Sequence, residues 1–114
     1  MTPEELAELD LVVAKAEGYN FAEIVTEPQR YGRDEPFVVV NGALVSPTKC
    51  ITFSPTRDGA EALRLLEKYR LTLWHSGSGW SSWVSFRPRA IAPCGPTPAI
   101  AICRAVVALA ETAP

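Results

Sequence analysis

The chain has few side chains that could do catalytic chemistry. His75 is the single histidine among 114 residues, and a catalytic triad or a metal site needs several partner groups. The cysteines are three in number and lack the short spacing of zinc or redox motifs. Catalysis would require the fold to bring His75 beside Cys94 or a carboxylate, which no spacing predicts. The sequence therefore predicts no catalytic residue, metal or cofactor, and we expect a protein that is not an enzyme.

Residues suited to binding are easier to find. Trp80 stands in a stretch of glycine and serine, and an exposed tryptophan on a rigid turn can anchor a protein partner or stack on a base. Paired arginines can bind a carboxylate or a phosphate with forked geometry, although scattered arginines are more often solvated charges. The candidate residues for binding a ligand or partner are Trp80, Arg87, Arg89, Arg30 and Arg33.

Composition limits the class of protein. A content of 47% hydrophobic and 21% charged residues is typical of a folded domain, and the length suits one domain over residues 1–114. The net charge of −2 provides no excess of positive charge, so the composition argues against general nucleic-acid binding. No apolar run suits a membrane span, and the acidic start does not resemble a signal peptide. We therefore expect a cytoplasmic protein that does not enter membranes.

Three helices are predicted from their start signals. Thr2 and Thr97 each precede a proline, a pattern in which the threonine caps the helix and the proline occupies its first position. Gly18 is expected to end the first helix, and either Ser54 or Thr56 to begin the second. The third is apolar on nearly every side and must be buried. The predicted inner faces are Leu6, Leu9, Val12, Val13 and Ala16 in the first helix, and Ala60, Leu63, Leu66 (or Leu65) and Tyr69 in the second.

Strands are predicted between the helices. Residues 36–40 are β-branched and precede the turn dipeptide Asn41-Gly42, from which residues 43–45 could return, and residues 50–53 form another candidate strand. The segment 87–96, with its three prolines, is expected to be irregular.

A β-hairpin is the clearest strand pair. Residues 71–76 and 81–86 are expected to pair across a loop at residues 77–80, with Ser76 opposite Ser81 and Trp74 opposite Trp83 as core. Both faces then carry large apolar groups, which favours helices on both sides. The predicted fold class is α/β (α+β), a small α-β-α sandwich whose antiparallel-containing sheet has helices on both faces.

The pattern resembles the phage ABA sandwich domain family of bacteriophages and prophages. The strongest likeness is that residues 97–105 resemble the family's closing TP-x-x-AICRA helix. Weaker likenesses are Phe53-Ser54 leading to Asp58, Ala60 and Ala62, the hairpin from Trp74 to Trp83, and the opening segment from Leu9 to Gly18-Tyr19. The resemblance implies an α-β-α sandwich and a viral genome, and it implies no established activity or functional residues.

Two classes of function remain open. The first is a non-enzymatic phage or prophage accessory protein that binds a host or phage protein, countering host defence or redirecting host machinery. The alternative is a small-ligand sponge that sequesters a nucleotide-like signalling molecule of the cyclic dinucleotide or ADP-ribose type, using aromatic stacking and arginine–phosphate contacts. Such a site often lies between subunits, so a homo-oligomer is possible.

Overall fold

Three helices and two antiparallel sheets make up the part of the chain that the computed structural model describes, residues 2–19, 21–25, 35–41, 50–77, 79–84 and 94–112. This confirms the α+β class. The contacts divide the chain into two units, residues 1–54 and 55–114, so the single domain over residues 1–114 stays a prediction. The elements are α1 (Pro3–Ala16), β1 (Ala22–Val25), β2 (Phe37–Asn41), β3 (Cys50–Phe53), α2 (Gly59–Lys68), β4 (Leu71–Ser76), β5 (Gly79–Val84), β6 (Cys94–Gly95) and α3 (Pro98–Thr112).

Both ends of α1 follow the sequence signals. The Glu5 N–H donates to Thr2 Oγ1 at 3.2 Å, and the Thr2 N–H donates to Glu5 Oε1 at 3.3 Å, which completes a capping box. At the other end Gly18 has a φ of +90°, and the Tyr19 N–H donates to the Ala14 carbonyl oxygen at 3.2 Å. A left-handed glycine with this bond is a common helix stop, so the predicted ends are confirmed.

The buried face of α1 is rotated from the predicted stripe. Val13 is buried as expected, but Val12 is 46% exposed. Asp10 has no exposed surface at all, and its acidic side chain is the reason that the hydrophobic pattern pointed elsewhere. The residues that α1 buries are Ala7, Asp10, Val13 and Ala14.

In the first sheet β2 lies between β1 and β3, and both pairings are antiparallel. All four residues from Phe37 to Val40 are buried, so the strand is covered on both faces. The predicted strands at 36–40 and 50–53 are confirmed to within a residue. However, Asn41 belongs to β2 and pairs with Cys50, and β1 was not expected. The predicted return strand at 43–45 lies outside the described residues.

Helix α2 begins later than predicted. Its cap is Asp58, whose Oδ1 accepts from the Ala60 N–H at 3.0 Å, rather than Ser54 or Thr56. Both of those residues are buried in the segment ahead of the helix. The buried face of α2 also differs from the predicted one. Ala62 and Leu65 point inward, whereas Ala60 is exposed and Leu63 is 53% exposed, so the predicted inner positions Ala60 and Leu63 are wrong.

The hairpin is formed by β4 and β5 with a register two residues from the predicted one. Ser76 pairs with Gly79, and not with Ser81, because the strands are joined by two residues and not four. A shift of two residues leaves every side chain on its predicted face. Trp74 and Trp83 therefore share a face, but Trp74 lies opposite Ser81 and the two tryptophans are diagonal neighbours.

The third strand of this sheet and α3 form a tight corner. Thr97 caps α3 as predicted, since its Oγ1 accepts from the Ile100 N–H at 3.2 Å. β6 pairs with β5, which corrects the expectation that residues 87–96 are irregular throughout. A Cβ at Gly95 would lie 2.7 Å from Ile100 Cγ2, so only glycine allows β6 to approach the helix this closely. The Arg104 guanidinium also donates to the Cys94 carbonyl oxygen.

Candidate binding surface of the second unit

The two faces of the β4–β5 hairpin have different environments. The inner face is defined by Leu71, Leu73, His75, Trp80 and Ser82, and its burial falls from Leu71 and Ser82 towards the exposed His75. Leu71 is 8% exposed and Ser82 is fully buried. Trp80 pairs with Gly95 of β6, so their Cβ positions lie on the same face. A Cβ at Gly95 would contact Ile100 of α3, which places α3 over this face.

A groove opens between α2, α3 and the inner face. We call it the α2–α3 groove; its volume is about 510 Å³, within the range of ligand and peptide pockets. Leu63 and Leu66 come from α2, Leu73 from β4 and Ile102 from α3, and the walls are largely apolar. The 53% exposure of Leu63 means that folding leaves this apolar wall in water. The full lining is Thr56, Arg57, Gly59, Ala62, Leu63, Leu66, Leu73, Thr97, Pro98, Ala99 and Ile102.

The groove leads to an aromatic pair on the same face. The rings of His75 and Trp80, which are directly opposite in the register, have centroids 4.6 Å apart and are tilted by 47°. Leu73 and His75 are successive inner-face residues of β4, about 7 Å apart along the strand. His75 is exposed and Trp80 half-buried, so a partly exposed ring pair lies beyond Leu73 on the same face, although neither ring lines the groove itself.

The outer face, defined by Thr72, Trp74, Ser81 and Trp83, holds the most exposed large apolar side chain that the structure describes. Trp74 is 61% exposed, so the expectation that it belongs to the core is wrong. Trp83 on the same face is half-buried. The core assignment failed because alternation gives a side chain's face and does not show what covers that face.

Of the predicted site residues, only Trp80 falls within the described residues. It is the second residue of β5 and not part of a turn, since the turn is two residues shorter than expected. The four predicted arginines, Arg30, Arg33, Arg87 and Arg89, lie outside the described residues, so their distances from Trp80 stay a prediction.

The groove itself was not predicted from the sequence. Leu63 was assigned to the inner face of α2, whereas it forms a solvent-exposed wall. No signal in the sequence separates Leu63 from the buried Leu65, because both are apolar residues of the same helix and only packing decides which is covered.

Other kinds of site are not seen in the described part of the chain. Among those residues, no group of three or more histidine, cysteine, aspartate or glutamate side chains could hold a metal ion. None of the helices described is both long and apolar enough to cross a bilayer.

Fold and surface together define a small α+β protein with an apolar groove and a partly exposed aromatic pair on the same face of its second sheet. The chain belongs to the protein family described as Bacteriophage P22, NinX, whose family model matches residues 5–110. No curated protein matches the chain. The family match confirms a small phage protein, as the resemblance implied, and does not confirm the phage ABA sandwich assignment.

Proposed function

We propose that the chain is a non-enzymatic phage accessory protein that acts inside the infected bacterium by binding a partner protein. By this binding it counters host defence or redirects host machinery. The observation that supports the proposal is the apolar α2–α3 groove, with the His75–Trp80 pair on the same face of the hairpin. A contiguous apolar surface of this kind, left in water after folding, is typical of protein interaction sites.

The proposed contact is an apolar segment of the partner laid along the groove. Its side chains would pack against Leu63 and over Leu73, which removes both from water, while the already buried Ile102 forms the opposite wall. Trp80 would close one end as the anchor, because large aromatic residues dominate the binding energy of protein interfaces. Arg57, the one charged residue among those lining the groove, would orient a polar group of the partner.

The test is capture of partners from phage-infected host cells with tagged wild-type protein and two groove variants. Leu63→Glu places a charge on the exposed apolar wall, and we expect it to abolish capture. Trp80→Ala should weaken binding by about 2 kcal/mol, or roughly 30-fold, which is a typical anchor cost. Leu63→Glu should melt close to the wild type because Leu63 is 53% exposed, whereas Trp80→Ala should lower the melting temperature somewhat because Trp80 is half-buried, so its affinity is measured at a temperature where the variant is folded.

Arg64→Glu is the matched control, because Arg64 is exposed on α2 and does not line the groove. It should capture the same protein as the wild type. The proposal is wrong if the Leu63 and Trp80 variants retain the wild-type partner with unchanged affinity, or if no protein is captured and loss of the gene leaves phage growth unchanged.

A small-ligand sponge remains the second candidate, because a volume of about 510 Å³ also suits a nucleotide-sized molecule. Its test is a thermal-shift series with cyclic dinucleotides and ADP-ribose derivatives. Ligand binding raises the melting temperature progressively with ligand concentration. If the melting temperature rises and Leu63→Glu removes the rise, the groove binds a small ligand and the protein-partner proposal is replaced. If no nucleotide shifts the melting temperature, these ligands are excluded.

A further inference from the structure

Among the residues that the structure describes, strand β4 lies at an edge of the second sheet, whose order is β4-β5-β6. Edge strands offer free backbone groups to other strands, and proteins commonly protect them with charged residues or proline. The six residues of β4 are LTLWHS, and this strand has no acidic residue, no lysine or arginine and no proline. The edge strand β1 of the first sheet differs, because it carries the exposed Glu23.

The hairpin register determines which backbone groups of β4 face outward. Ser76 and Gly79 flank the two-residue connection and form the hydrogen-bonded closing pair of the turn. Hydrogen-bonded and non-hydrogen-bonded pairs alternate along an antiparallel ladder. The N–H and C=O groups of Leu71, Leu73 and His75 therefore point away from β5.

The same edge carries Trp74 on the outer face, with 61% of its surface exposed. Trp74 is on the face opposite to the groove, so a partner laid in the groove over Leu73 does not cover it. An exposed apolar side chain on an edge strand that lacks acidic residues, lysine, arginine and proline is the combination that favours pairing with another strand.

We propose that the occupant is a second copy of this chain, paired antiparallel through β4 about a two-fold axis at Trp74. In this register Leu73 exchanges backbone hydrogen bonds with His75 of the second copy, because both residues have outward groups. Trp74 then lies opposite Trp74 of the second copy at a non-hydrogen-bonded position, where side chains approach most closely.

A second copy fits better than an unrelated strand because β4 is complementary to itself. A two-fold axis requires the same surface on both subunits, and the uncharged strand brings no like charges together. The pairing joins two three-stranded sheets into one and covers both Trp74 rings. Each dimer would then present two α2–α3 grooves, an arrangement independent of what binds in them.

The first test is the mass of the full-length protein in solution, measured by sedimentation equilibrium over a range of concentrations. We expect a dimer for the wild type and a monomer for Trp74→Lys, which places two like charges at the axis. Leu63→Lys is the matched control, because it puts the same charge on a similarly exposed apolar residue away from the edge, and it should remain dimeric. His75→Pro is a second disrupting variant that removes an outward N–H without touching the β4–β5 hydrogen bonds.

The second test reads the register by disulfide formation. In a Cys94→Ser background, Trp74→Cys should form an intermolecular disulfide on mild oxidation, since non-hydrogen-bonded cross-strand pairs have Cα atoms about 4.5 Å apart. Thr72→Cys, on the same face and strand, should not form this disulfide. In the proposed register Thr72 lies opposite Ser76 of the second copy, so the two introduced cysteines are too far apart. A wild-type monomer at every concentration overturns the proposal, as does a dimer that survives both Trp74→Lys and His75→Pro.

Discussion

The two sheets use their apolar side chains in opposite ways. In the first, the central strand β2 buries four consecutive residues, from Phe37 to Val40, and both of its faces are covered. In the second, the β4–β5 hairpin buries Leu71 and Ser82 on one face and exposes Trp74 on the other. The exposed apolar residues of the two units also differ in their surroundings. Val12 of α1 has the charged residues Glu8 and Lys15 one turn away on its helix, whereas Leu63 of α2 lines an apolar groove. The central strand of the first sheet is thus fully covered, whereas the second sheet keeps a large apolar side chain in water.

The largest expected effect contrasts a buried ring with an exposed leucine. Phe37→Ala should lower the free energy of unfolding by about 3–5 kcal/mol, because the residue is fully buried and a cavity remains. Leu63→Ala should change it by no more than about 0.5 kcal/mol, as at other exposed sites. Urea denaturation measures both. Equal losses would show that Leu63 contributes to the core, which would remove the contrast between the sheets.

A smaller loss is expected at the corner between β6 and α3. Gly95→Ala puts a Cβ 2.7 Å from Ile100 Cγ2 and 3.1 Å from the Ala101 nitrogen. The strand must move away from the helix, at a cost of about 1–3 kcal/mol. Gly77→Ala is the control, since a Cβ there meets nothing within 4 Å, and its melting temperature should match the wild type. An unchanged melting temperature for the Gly95 variant would contradict the close approach.

The smallest effect has the opposite sign. The Ser82 hydroxyl is buried on the inner face and has no hydrogen-bond partner among the described residues. A buried polar group without a partner is destabilising, so Ser82→Ala should raise the free energy of unfolding by about 1 kcal/mol. Ser81→Ala, on the outer face, should have little effect. A fall in stability for the Ser82 variant would mean that the hydroxyl makes a bond in solution.

Local signals in the sequence predicted much of the fold. The caps Thr2 and Thr97 and the stop at Gly18 were confirmed because each depends on a few adjacent residues. The α2 cap was wrong because three capping residues, Ser54, Thr56 and Asp58, stand two apart and only tertiary burial selects among them.

Features that depend on distant contacts were harder to predict. In α1 the burial of the acidic Asp10 means that the buried face is rotated from the one that the apolar residues predict. Strand β6 has only two residues, which is too short for a periodic hydrophobic signal. Of the candidate surface, Trp80 was predicted, but the groove was not. The groove is formed by α2, β4 and α3 together, and its walls depend on the rotation of each helix about its own axis.

The contact between Arg104 and the Cys94 carbonyl also bears on the order of folding. It links residues ten positions apart, and chains close loops of about this length within roughly 10–100 ns. The pairing of β6 with β5, by contrast, joins Ser81 to Cys94 and needs the hairpin to be in place. We therefore expect the strand–helix corner to act as an early local nucleus, onto which the hairpin docks afterwards, and Gly95 to influence the folding rate more than the unfolding rate.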